Sequence, residues 1–125
     1  MLKNSCGLFF LFVFTSCYQP ERNCSDFKNG EFTFDYEIDS VSKTGVFKRD
    51  GDLSVEFYEN KVDSASVRWI NDCEYIVKKL NPKSMAEEKP VHIKILTTTD
   101  NSYTFEFSIV GDNKTKSKGV AVKAQ

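Results

Sequence analysis

Residues 31–39 (EFTFDYEID) alternate apolar and polar side chains without a break, with Phe32, Phe34, Tyr36 and Ile38 on one side and Thr33, Asp35 and Glu37 on the other. Only an extended backbone sends successive side chains to opposite faces, so such a run is a strand with one face in a core and the other in water. The same rhythm returns in Leu53, Val55 and Phe57; in Ala65, Val67 and Trp69; and in Cys73, Tyr75 and Val77. It continues in Val91, Ile93 and Ile95, then in Tyr103, Phe105, Phe107 and Ile109, and ends in a strand over 118–123 with Val120 and Val122. Turn residues separate these runs: Asn29-Gly30, Asp50-Gly51, Asn60, Asn71-Asp72, Asp100-Asn101 and Gly111-Asp112-Asn113. Asp50-Gly51 predicts a tight hairpin between 46–49 and 53–58, because both residues tolerate positive φ.

The chain is therefore expected to be all-β: about eight short strands in an antiparallel meander that curls into a small barrel or sandwich. No crossover helices are present to build parallel βαβ units. The one interruption is a short helical or loop insertion at 82–89, within NPKSMAEEKP, where Asn81 can cap a turn or two begun by Pro82 and stopped by Pro90. It reads as a solvated connection or as a lid over one end of the barrel.

The first residues belong to a different physical class. Lys3 is followed by an unbroken apolar run at 8–14 and then by Thr15 and Ser16, the layout of an export signal. Seven residues of helix reach only about 10 Å, against a hydrocarbon core of about 30 Å, so this is no membrane span. Phe14-Thr15-Ser16-Cys17 resembles the lipobox of bacterial lipoproteins, with Phe14 where Leu, Val or Ile is more usual. The expected organisation is a lipoprotein signal peptide at 1–16, a lipidated tether at 17–25 carrying acyl chains on Cys17, and a single all-β domain at 26–125. More than one acyl chain anchors a protein firmly to a membrane, at roughly 0.8 kcal/mol per buried CH₂.

Cys6 leaves with the signal and Cys17 takes lipid, so Cys24 and Cys73 remain. In an oxidising compartment the pair reads as a disulfide, worth roughly 4 kcal/mol for a loop of this size on the chain-entropy model. A redox or metal pair is the competing reading; neither CxxC spacing nor a histidine cluster accompanies it. No metal site and no cofactor is expected.

After removal of the signal, 16 basic residues face 18 acidic ones, which leaves no positive excess for gripping nucleic acid. His92 is the sole histidine and lies opposite Val91, Ile93 and Ile95 on its strand, which places it outward with Lys94. The acids Asp35, Glu37, Glu56, Asp72, Glu74 and Glu106 could supply paired carboxylates, but most alternate with apolar residues and read as solvent-facing. No catalytic residue is assigned. The densest polar and aromatic cluster is Arg68, Trp69, Asn71, Asp72, Glu74 and Tyr75. Trp69 beside a disulfide reads as a core anchor, or the cluster forms a binding site at the barrel mouth. Lys114, Lys116, Lys118 and Lys123 make a basic C-terminal edge, protective against strand pairing or a contact for anionic headgroups.

The runs CYQPERNCSDFKNGEF, RWINDCEY and LNPKSMAEEKPVHIKILTTTDNSYTFEFSIVGD resemble a family of flavobacterial lipoproteins of about 120 residues whose function is unknown. Some of its members bear the name DNA topoisomerase IV, an activity at odds with an exported chain of this size and charge. The succession of a G-x-F strand start, a strand with Arg and W-x-N-D-C-x-Y is also similar to small lipocalin-like barrels, an analogy of fold alone. Tyr18 after Cys17, with Glu21 beside Arg22, implies the periplasmic side of the outer membrane.

Two functional classes follow. One is a non-enzymatic envelope module that binds a small apolar ligand or docks an envelope protein. The other is an envelope hydrolase acting on glycan or peptide, with a structural or assembly role beside both. Seven Phe, five Tyr and one Trp outside the signal suffice to fill a small barrel, which favours a protein partner over an internal ligand.

Overall fold

The computed structural model describes residues 22–38, 40–112 and 116–125. The span 1–16 expected as a signal peptide, Cys17 with its expected acyl chains, and Lys114 lie outside these residues. The described chain is all-β apart from one 3-10 turn, and its strands form a closed antiparallel barrel. The strands are β1 (Gly30–Ile38), β2 (Val41–Asp50), β3 (Leu53–Tyr58), β4 (Lys61–Asn71), β5 (Glu74–Lys79), β6 (Val91–Thr98), β7 (Ser102–Ile109) and β8 (Ser117–Lys123). Each pairs with its neighbour in sequence, and β8 closes on β1 through Phe32↔Lys123 to Asp35↔Val120. Closure leaves no unpaired edge, which the sequence could not decide between barrel and sandwich.

The two ends of the barrel differ. At one end the 3-10 helix Cys24–Phe27 packs across the opening as a plug. Phe27, 1% exposed, stacks edge-on against Tyr103 at 5.2 Å, and the Cys24–Cys73 disulfide ties the plug to the β4–β5 turn with Cα atoms 5.2 Å apart. Lys123 Nζ donates to the Asp26 carbonyl (2.7 Å), and the Asn23 amide donates to Thr98 Oγ1 (2.9 Å). Cys24, within the span expected as tether, is thus buried in the barrel base. The 80–90 connection stands at the opposite end. It is a chain of bends and turns without a helix, held by Glu87, whose Oε2 accepts the Lys83 amide and whose own amide donates to Ser84 Oγ.

Alternation correctly places Phe32, Phe34, Val67, Trp69, Tyr75, Val77, Ile93, Ile95, Tyr103, Phe105 and Phe107 in or against the core. It fails on β3 and β8. Leu53 and Phe57, expected inside, are 42% and 41% exposed, and Ser54, Glu56 and Tyr58 face the interior instead. The cause is parity across the hairpin. The loop between β2 and β3 is Gly51-Asp52, so Asp50 pairs with Leu53, one residue later than the Asp50-Gly51 turn that the sequence suggests. Asp50 follows Arg49, and Arg49 points inward; Leu53 must share the outward face of Asp50. On β8, Val120 and Val122 likewise face out, and Gly119 and Ala121 line the inside.

Candidate functional site

The floor of the barrel is built around one cation. Arg49 is 3% exposed, and its guanidinium lies 4.7–5.5 Å from the ring centroids of Tyr75, Phe32, Trp69 and Phe47. Its Nε donates to the Lys28 carbonyl (3.1 Å) and its Nη2 to the Phe27 carbonyl, so it fastens the plug from inside. Backbone carbonyls and ring faces offset the loss of water around the charge. Among the described residues no carboxylate pairs with it. Burial opposes its positive form, and the Tyr75 and Tyr103 hydroxyls more than offset this, holding the guanidinium pKa above its usual value. Those two hydroxyls are 3.1 Å apart and hydrogen-bonded. Burial drives the Tyr103 phenol well above the usual tyrosine range, with Tyr75 adding to the shift and Arg49 opposing it.

Above the floor is a cavity of about 310 Å³. Phe34, Phe47, Val67, Val77, Ile93 and Phe105 form its apolar wall, and Phe107 and Val91 stand higher. This corrects the expectation that the aromatic side chains fill the interior. Two of the rings sit over glycines: a Cβ on Gly45 would meet Phe34 Cζ at 2.5 Å, and one on Gly119 would meet Phe105 Cζ at 2.7 Å. These rings lie back against bare backbone rather than across the barrel axis, which leaves the centre open.

One sector of the wall is polar because β3 is inverted. Ser54, Glu56 and Tyr58 line it. Glu56, read from the sequence as solvent-facing, turns inward; burial pushes its carboxyl pKa up, Lys79 pulls it down and Asp63 pushes it up again. At the rim Tyr58 donates to Asp63 Oδ2 (2.6 Å), and Lys79 Nζ lies 3.6 Å from Asp63 and 2.8 Å from Glu87. The bond from Tyr58 lowers the Asp63 pKa, and the bond from Lys79 lowers that of Glu87. No residue of the 80–90 connection lines the cavity, so it is a rim contact rather than a lid.

The cluster singled out in the sequence lies at the plugged end, not at an open mouth. Arg68 is exposed on the outer face of β4, and Asp72 is exposed in a turn and pairs with Lys28 at 3.3 Å. Asn71 accepts the Cys73 amide and donates to Glu74 Oε2 (2.6 Å), bracing the β4–β5 turn. Glu74 Oε1 is 3.5 Å from His92 Nε2 on the outer surface. Trp69 packs on Tyr75 with ring centroids 4.5 Å apart. Of the six residues only Tyr75 reaches the cavity. The residues that sequence reasoning missed are Arg49, Glu56, Tyr58 and Tyr103 as a cavity set. An arginine directly before a tight turn, on a strand whose inward face has no clear pattern, was the available signal. Lys116 pairs with Glu106 at 3.5 Å, and Lys123 is committed to the plug, which leaves Lys118 of the described basic edge as an exposed cation on β8. Among the described residues no group of three His, Cys, Asp or Glu side chains could hold a metal ion. Comparison of the chain with models of known families and with curated proteins finds no match.

Proposed function

We propose that this protein is a non-enzymatic binding module that holds a small, largely apolar molecule inside its barrel, carried on the cell envelope by acyl chains on Cys17. The observation that carries the reading is the apolar cavity of about 310 Å³ left open in a closed, plugged barrel. Its size falls at the lower end of ligand pockets, which run from roughly 300 to 1,000 Å³. A mostly hydrophobic wall with a few convergent polar groups is the general composition of such sites. An anchored barrel with one open end suits retention or transfer of an amphiphile within the envelope, on the periplasmic face of the outer membrane.

Titration of the isotopically labelled protein with 1-octanol tests the reading. The expected result is saturable movement of the Val67, Val77 and Ile93 methyl resonances at one molecule per chain. Movement confined to the outward methyls of Val46 and Val62 would overturn it. The envelope assignment has its own test in the intact mass of the protein extracted from native membranes: a chain that begins at Cys17 with acyl chains attached is expected, and an unprocessed chain removes that part of the proposal.

A further inference from the structure

The floor of the cavity combines two features that a self-contained core has no need of. The first is charge: Arg49 is 3% exposed, lines the cavity, and has no carboxylate partner among the described residues. A buried guanidinium held by carbonyls, ring faces and tyrosine hydroxyls still lacks a counter-charge, and supplying one in a water-poor site is favourable. The second is a surplus donor. Tyr75 and Tyr103 are 3% and 1% exposed, line the same cavity, and bring two hydroxyl protons to one mutual hydrogen bond. One proton is therefore left to donate, and no described residue accepts it.

Resting on the binding reading above, we infer that the ligand is a medium-chain monocarboxylate seated carboxylate-down, its oxygens accepting the spare tyrosine proton beside Arg49 and its alkyl chain rising past Phe47, Ile93 and Phe105. The carboxylate provides the missing anion and the missing acceptor at once. Length follows from volume: about 310 Å³ is room for roughly ten water-sized groups at about 30 Å³ each, which matches an eight-carbon acid. Arg49 at the floor disfavours a cationic head there. The carboxyl of Glu56, on the cavity wall above Arg49, disfavours an anion held higher up.

Calorimetric titrations with octanoate, 1-octanol and octylamine at neutral pH separate the possibilities. Octanoate is expected to bind about ten-fold tighter than 1-octanol, the scale of a charge-assisted hydrogen bond. Tyr103→Phe and Tyr75→Phe retain the rings; the double variant is expected to lose most of the preference for octanoate over 1-octanol. Arg49→Met removes the charge, and because Arg49 also fastens the plug, the tyrosine variants keep the test decisive if that variant does not fold. Equal binding of octanoate and 1-octanol, or tighter binding of octylamine, overturns the head-group assignment and leaves the binding module standing. Failure of all three to bind overturns both.

Discussion

Glu56 shows how a single residue changes meaning between sequence and structure. In LSVEFY it occupies the polar phase of an alternating strand, and any pattern rule turns it toward water. In the barrel it lines the cavity, and burial raises its pKa. A carboxyl whose folded pKa is raised contributes stability that is fully present below the ordinary carboxylate range and is lost as pH rises through the raised value. Asp63 and Glu87 behave oppositely: their lowered values give stability that is present above the ordinary range and is lost as pH falls through them. Glu56→Gln is therefore expected to raise the melting temperature at neutral pH and to leave it nearly unchanged at acid pH, where Glu56 is already protonated. Melting curves of both proteins across pH check this, and superimposable profiles would sink it.

At the level of elements, strands β1, β6 and β7 were legible because each offers one strongly apolar phase and one polar phase. β2 was not: Val41, Lys43, Gly45, Phe47 and Arg49 form one phase, and Ser42, Thr44, Val46, Lys48 and Asp50 the other, with no hydropathy contrast between them. Its phase is decided by contacts made elsewhere, those of Arg49 with the plug carbonyls and four aromatic rings. The tight turn then passes that choice to β3, against the preference of Leu53, Val55 and Phe57. The pairing of β1 with β2 sets Gly45 opposite Phe34, and the ring occupies the place of the absent side chain. Gly45→Ala is expected to push Phe34 into the cavity, costing about 1–3 kcal/mol as overpacking in a folded core does, and to weaken 1-octanol binding. Denaturant unfolding and the octanol titration measure the two effects, and an unchanged midpoint with full binding would show that the ring does not depend on the bare glycine.

For the molecule as a whole, closure and the plug act together. The ladder from β1 round to β8 fixes the barrel wall, but the base is held by groups from three places in the chain: the disulfide to Cys73, the Arg49 bonds to the carbonyls of Phe27 and Lys28, and Lys123 on Asp26. Cys24 and Cys73 are 49 residues apart, and removing the bridge through Cys24→Ala and Cys73→Ala together is expected to cost about 4 kcal/mol on the chain-entropy account. Equilibrium unfolding of the double variant measures this. A loss below about 1 kcal/mol would mean that the plug contacts already restrict the chain as strongly as the bond does.

The amino-acid sequence by itself determined the secondary structure and its order, because a period of two and the turn residues between runs are local properties of the backbone. It also anticipated the Cys24–Cys73 pairing, on the expectation that Cys6 leaves with a signal and Cys17 takes lipid. Tertiary structure alone decided which face of β3 turns inward, that the sheet closes, and that a cavity remains above Arg49. These depend on the circumference of eight paired strands and on a buried cation drawn to carbonyls more than twenty residues away, and neither is encoded in any local window of sequence.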